Sequence, residues 1–283
     1  MKIKNYKLKN IKKGAIGVFD SGFGGLNILK HIVKKLPQYD FVYLGDSIRA
    51  PYGPRSQEVI FDFTLQAVNF LFKKGCCLVI LACNTASSEA LRKIQQKWLI
   101  KNFPENKVLG VIIPAVEKAV ETTKNNKIGV IATQGTVNSM AFNKEIKKRN
   151  FKIKVFEQAC PLLVPIVEAG EDNSEIADIA LKKYLKPLLI KKIDLLILGC
   201  THYGILEKKI KQIVGKDVNI ISEGKVVAQK LADYLKKHSE IEKRLNKNSQ
   251  RLFLTTDLTD NFQRLGSKFF GKKIKPQKII LDK

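Results

Sequence analysis

Short apolar runs alternate with longer amphipathic stretches along nearly the whole chain. Ala15–Asp20, Asp40–Gly45, Cys77–Ala82, Lys107–Ile113, Lys127–Ala132 and Lys152–Gln158 have the length and β-branched content of buried strands. Asp194–Leu198 and Asp217–Ser222 continue the series, and Arg251–Thr256 and Gln277–Leu281 supply two late strands around a short helix. Between them, apolar residues recur at helical spacing in Gly25–Leu36, Ser56–Lys74, Ala86–Lys101, Ala115–Lys124 and Val137–Asn150. After a proline-punctuated segment, Asn173–Lys186, Gly204–Val214 and Glu223–Leu235 repeat the helical pattern. Strand–helix alternation of this kind predicts the α/β class, with parallel sheets sandwiched between helices.

An internal near-echo suggests two such units. Leu78–Thr85 spells LVILACNT and Leu195–His202 spells LLILGCTH. Each is an apolar strand that ends in a cysteine, followed by a polar residue and then a helix. Two similar α/β halves are therefore expected, each contributing one strand-end cysteine.

The 283 residues suffice to bury a sizeable core without disulfides or structural metals, and 45% hydrophobic with 27% charged residues is ordinary globular usage. No stretch approaches the roughly 18 apolar residues of a membrane-spanning helix. Met1–Lys13 is basic but precedes no apolar signal segment, so a cytoplasmic location is expected. Lysine and arginine number 51 against 26 acidic residues, a net charge of +25. Such an excess invites a nucleic-acid partner. However, only seven of the 51 cations are arginine, the usual reader of bases and phosphates, and the lysines are spread along the chain. A solvated lysine-rich surface, with no specific nucleic acid, is the simpler expectation.

Five cysteines, an odd number without a CxxC pair, argue against a disulfide framework. Cys76, Cys77 and Cys160 have the setting of small buried hydrophobes. Cys83 and Cys200 differ, because both fall at the carboxyl end of a parallel strand just before a helix. That edge is where open α/β sheets bind ligands, and helix N-termini favour thiolates and carboxylates. Backbone N–H groups there suit a carboxylate, and two other chemistries stay open at this point: a zinc site using Cys83, Cys200 and His202, and a cysteine nucleophile with His202 as base. Two more segments converge on the same edge. Asp20-Ser21-Gly22-Phe23-Gly24-Gly25 ends the first strand in a carboxylate, a hydroxyl and a glycine turn, without the spacing of a dinucleotide loop. Its glycines suit close backbone approach to a small ligand. Gly45-Asp46 ends the second strand, and the Ala50-Pro51-Tyr52-Gly53 turn beyond it offers backbone N–H groups for a carboxylate.

Taken together, FDSGFGGL (19–26), YLGDSIRAPYG (43–53), LACNTAS (81–87), GVIIPAV (110–116), ACPLLVPIVE (159–168) and LGCTHYG (198–204) resemble the glutamate racemases, of the aspartate/glutamate racemase family. The related aspartate racemases typically carry Glu after the second Cys-Thr, where this chain has His202. The resemblance implies a cleft between two α/β domains, residues 1–108 with 218–283 and residues 109–217. It implies interconversion of L- and D-glutamate for peptidoglycan synthesis, without pyridoxal phosphate, metal or nucleotide. By resemblance, Cys83 assisted by Asp20 acts on D-glutamate, and Cys200 assisted by His202 acts on L-glutamate. Ser21, Asn84, Thr85 and Thr201 would bind the groups at Cα, Tyr52 and Gly53 the side-chain carboxylate, with Glu168 a weaker candidate. A cell-wall-precursor activator and a homodimer are further features the resemblance admits. The chain departs from the family pattern at Gly204, usually Pro, at Ala115, usually Gly, and at Ser222-Glu223-Gly224, where an Asp-Ser pair is usual.

Overall fold

The computed structural model describes residues 13–281; the basic segment Met1–Lys13 lies outside it except for its last residue. Among the described residues ten strands occur in chain order: β1 (Ala15–Asp20), β2 (Phe41–Gly45), β3 (Cys76–Leu81), β4 (Lys107–Gly110), β5 (Lys127–Ala132), β6 (Lys154–Ala159), β7 (Leu195–Gly199), β8 (Asn219–Ser222), β9 (Arg251–Thr255) and β10 (Gln277–Lys278). They form two all-parallel sheets, ordered β10-β9-β2-β1-β3-β4 and β6-β5-β7-β8. Every residue of β1, β2, β3 and β7 is buried, as expected for strands covered by helices on both faces.

The near-echo has a topological counterpart. In each sheet the first strand of the unit (β1 or β5) lies between its second (β2 or β6) and its third (β3 or β7), with the fourth (β4 or β8) beyond. The cysteine of each half follows the third strand, at the point where the strand order reverses. Ligands bind outside the carboxyl ends of strands at such switch points.

Several elements differ from the sequence pattern. The run 107–113 is a strand only to Gly110; Ile112–Thr122 is a helix that the β-branched pair Ile112-Ile113 disguises. The helix expected over 137–150 starts at Gln134 and is interrupted at Met140, which takes a left-handed conformation (φ 53°) between Gln134–Ser139 and Ala141–Arg149. The proline-punctuated segment contains the helix Leu163–Glu168, and Glu175–Ile190 continues through Pro187. The helix expected from Ala86 starts at Asn84 and passes through a π-helical stretch, Ile94–Leu99, before ending at Asn102. Strand β8 lies beyond the expected 217/218 boundary and yet pairs with β7 in the second sheet.

One apolar cluster joins the halves, running from Ile16 and Leu29 through Leu163 and Leu198 to Leu231 and Phe269. The helices Gly25–Lys35 and Glu223–Lys237 pack together at this junction. Lysines fill the last turns of these helices and of Ala141–Arg149, where cations favourably meet the helix C-terminus. Among the described residues no helix is long and apolar enough to cross a membrane.

Candidate active site

β1 and β3 are neighbours, so their carboxyl ends bring Asp20 and Ser21 beside Cys83. Cys83 caps the helix Asn84–Glu89: its sulfur accepts from the Ala86 N–H at 3.5 Å and meets Ser21 Oγ at 3.5 Å. Burial, then the Asp20 charge, push the Cys83 thiol up to about 11, against the pull of the Ala86 N–H and Ser21. Asp20 is wholly buried. Its carboxylate accepts from the Gly22 N–H at 3.1 Å and from Thr201 Oγ1 at 3.4 Å. Desolvation raises its pKa, while the nearby His202 charge and the Gly25 and Gly22 N–H groups oppose the rise.

The second half approaches from β7. Cys200 Sγ lies 3.9 Å from His202 Nδ1, and His202 Nε2 lies 3.1 Å from Glu168 Oε1. Burial raises the Cys200 thiol well above its ordinary value; the His202 N–H pulls it down, and Cys83, Asp20 and Glu223 push it further up. The influence of Cys83 and Asp20 on Cys200 shows that the two strand ends share one electrostatic environment. Thr201 bridges them directly, bonding Asp20 of the first half and approaching His202 Nδ1 at 3.4 Å. Aromatic rings of Phe23 and Phe269 pack on the imidazole at centroid distances of 5.5 and 5.4 Å.

Gly24 has a different use from the one expected. A Cβ there would run into Thr201 and His202, so the missing side chain admits the other half of the protein. Tyr52 is also more committed than its sequence suggests. Its phenol donates to Asp46 Oδ2 at 2.5 Å, and the residue is 1% exposed, so the phenol is spoken for by the protein itself. Asp46 in turn accepts from Arg49 Nε at 2.6 Å and Thr256 Oγ1 at 3.0 Å. This buried carboxylate fixes the turn that carries Tyr52 and Gly53. Gly53 accepts from the Gly135 N–H at 3.0 Å, which ties the turn to the end of β5.

The structure therefore brings together Asp20, Ser21, Cys83, Thr201, Cys200, His202 and Glu168. Thr85, two residues after Cys83, bonds two residues that the sequence reading does not single out: its hydroxyl lies 2.9 Å from Thr133 Oγ1 and 3.3 Å from Thr136 Oγ1. Their signal was available: Thr133 follows strand β5 and caps the next helix, as Cys83 does after β3. Asn84 donates to Glu223 Oε2 at 2.8 Å, and Glu223, 3% exposed, is the other missed residue. Among the described residues no three His, Cys, Asp or Glu side chains are grouped as metal ligands would be. The zinc alternative has no geometric support.

Comparison with known proteins gives concordant results. The chain matches the profile of the Asp/Glu/Hydantoin racemase family over residues 16–231. It is similar to the glutamate racemase of Geobacter metallireducens, 38% identical over 260 residues, 92% of this chain and 94% of the relative. A crystal structure of a glutamate racemase isoform from Bacillus anthracis matches with a TM-score of 0.87 and 36% identity over 95% of this chain and 98% of the other. The Francisella tularensis glutamate racemase in complex with D-glutamate matches with a TM-score of 0.86 and 34% identity over the same shares, 95% and 98%.

Proposed function

Because the chain belongs to the Asp/Glu/Hydantoin racemase family, we propose that it interconverts L- and D-glutamate by a two-thiol mechanism and so provides D-glutamate for peptidoglycan synthesis. The observation that carries this reading is the pairing of Cys83 with Asp20 and Ser21, and of Cys200 with His202 and Glu168, at the adjoining switch points of two sheets.

Inversion at Cα requires loss of a weakly acidic proton from one face and gain of a proton on the other. Two acid/base groups on opposite sides of a planar carbanion accomplish this. In this reading one sulfur enters the cycle as thiolate and takes the Cα proton, while the other enters as thiol and delivers its own. The two sulfurs have then exchanged protonation states, and the reverse reaction starts from that arrangement. Burial holds both thiols high, so the thiolate needs local help. The Ala86 N–H and Ser21 provide it at Cys83, and the imidazole of His202 provides it at Cys200. Asp20 and His202 then relay protons to and from their neighbouring sulfurs. Thr85 and Thr201 supply hydroxyls for the α-carboxylate, and the backbone of Tyr52 and Gly53 meets the distal carboxylate.

The test uses L-glutamate in D₂O with the purified chain, followed by proton NMR and chiral analysis. Loss of the Cα proton signal with formation of D-glutamate is expected. Cys83→Ser and Cys200→Ser should each lower the rate by roughly 10²–10⁴-fold. Full activity in either variant would overturn the two-thiol account. Aspartate turnover in place of glutamate would overturn the substrate.

A further inference from the structure

Glu223 begins the helix Glu223–Lys237 at the end of β8, within the segment that departs from the family pattern. Its carboxyl is 3% exposed and its partner Asn84 is 2% exposed. Asn84 Nδ2 donates to Glu223 Oε2 at 2.8 Å, which fixes which way the amide faces. Two oxygens of the pair are left over. Asn84 Oδ1 and Glu223 Oε1 are buried and have no protein partner among the described residues. Buried polar atoms without partners are costly, and such atoms mark a place for a ligand.

Glutamate brings two carboxylates, which only accept hydrogen bonds, and one ammonium group, which only donates. Resting on the glutamate reading above, we propose that Asn84 Oδ1 and Glu223 Oε1 receive the substrate's α-ammonium group, with Glu223 also holding the Asn84 amide in the orientation that presents its oxygen. Asn84 directly follows Cys83, and Glu223 follows β8, whose last residue pairs with Leu198 of β7 just before Cys200, so the pair stands at the strand ends that carry both sulfurs.

The electrostatics fit a cation. Burial raises the Glu223 carboxyl to about 8, with Asp20 pushing it further up against the Asn84 N–H. The Glu223 charge also bears on Cys200 after β7, and the His31 ring of the helix Gly25–Lys35 lies where a Cβ on the neighbouring Gly224 would fall. At neutral pH the free protein therefore keeps Glu223 protonated beside Asp20. An arriving ammonium favours the carboxylate, and the Glu223 proton leaves to solvent.

Calorimetric titration at pH 7 with D-glutamate and with glutarate, which has both carboxylates and no ammonium, tests this. Glu223→Gln keeps the bond from Asn84 and the side-chain volume but turns an N–H donor towards the cation. It should weaken D-glutamate at least tenfold, the loss of a charge-assisted hydrogen bond, and leave glutarate within about twofold. Glu223→Ala should discriminate in the same sense. Titration in buffers of different ionisation enthalpy should show proton release on D-glutamate binding to the native chain, absent in Glu223→Gln. Equal losses for both ligands, or no loss for either, would overturn the inference while leaving racemisation by the native chain intact. A native chain that racemises no glutamate would overturn the reading beneath it as well.

Discussion

Nε2 of His202 stands 3.1 Å from Oε1 of Glu168, and this carboxylate decides what the imidazole offers to Cys200. With Nε2–H donated to Glu168, Nδ1 is left as the acceptor, 3.9 Å from the Cys200 sulfur. The ring can then take the thiol proton and return it. Phe23 and Phe269 hold its plane.

His202→Asn should lower kcat/KM for racemisation by about 10²-fold or more, the loss of a general acid/base. Glu168→Gln should cost about tenfold, because Glu168 is partly exposed and water can replace it in part. Both losses should be equal from L- and from D-glutamate, since the equilibrium constant between enantiomers is unity. Chiral assay from each enantiomer checks this. Unchanged kcat/KM in His202→Asn would remove the imidazole from the proton route.

Asp20 acts on Cys83 in the opposite sense, because its charge raises the thiol. Asp20→Asn should therefore move the pH midpoint for alkylation of Cys83 downwards while racemisation falls. Measured by intact mass after iodoacetamide treatment in a Cys200→Ser background, a midpoint that does not move would mean that Asp20 carries no charge beside Cys83.

Much of this site was legible because it lies at strand ends. The runs Ala15–Asp20 and Lys127–Ala132 coincide with β1 and β5, and a buried parallel strand followed by a polar residue marks the binding edge without knowledge of the fold. Cys83 and Cys200 stood out for that reason. Other features depend on contacts distant in sequence. Nothing local in Gly45-Asp46 announces that Asp46, besides its near neighbours Arg49 and Tyr52, will take a donor from Thr256, 210 residues away. Glu223 looks like an ordinary acidic residue in the first turn of a helix, a favourable exposed position; only the packing of the two halves buries it against Asn84. Met140 breaks a helix without glycine or proline, so the sequence carries no punctuation there.

The junction at Gly24 makes a separate expectation. Gly24→Ala would drive a methyl into Thr201 and His202, and relieving it means moving the two strand ends apart. Overpacking of this kind costs about 1–3 kcal/mol in stability, but a displacement near 1 Å at reacting groups costs about 10²-fold in rate. Activity should thus fall far more than stability. Gly22→Ala is the comparison, since a Cβ there meets nothing within 4 Å, and its unfolding free energy should stay within about 0.5 kcal/mol of the native chain. Urea unfolding and the chiral assay on both variants separate the two effects.

The last expectation concerns pH and needs its sign worked out. Glu223 is raised from 4.5 to about 8 by burial. Between those values the folded chain holds the proton and the unfolded chain has lost it. More protons bound in the folded state mean that stability falls as pH rises through this window. Below 4.5 both states are protonated and the penalty is absent; above about 8 both are ionised and the penalty is complete. Glu223→Gln removes the ionisation but keeps the bond from Asn84. Its stability advantage over the native chain should grow steadily from pH 5 to pH 8 and level off by pH 9. A tenfold difference in proton affinity between the folded and unfolded chain is worth about 1.4 kcal/mol, so an advantage of a few kcal/mol at pH 9 is expected. Asp20 and the thiols also titrate differently on folding, but they are common to both proteins and largely cancel in the difference. Urea unfolding of both proteins at pH 5, 7 and 9 makes the comparison. An advantage that stays constant across that range would mean that Glu223 is already ionised in the folded chain, and burial would not be controlling its charge.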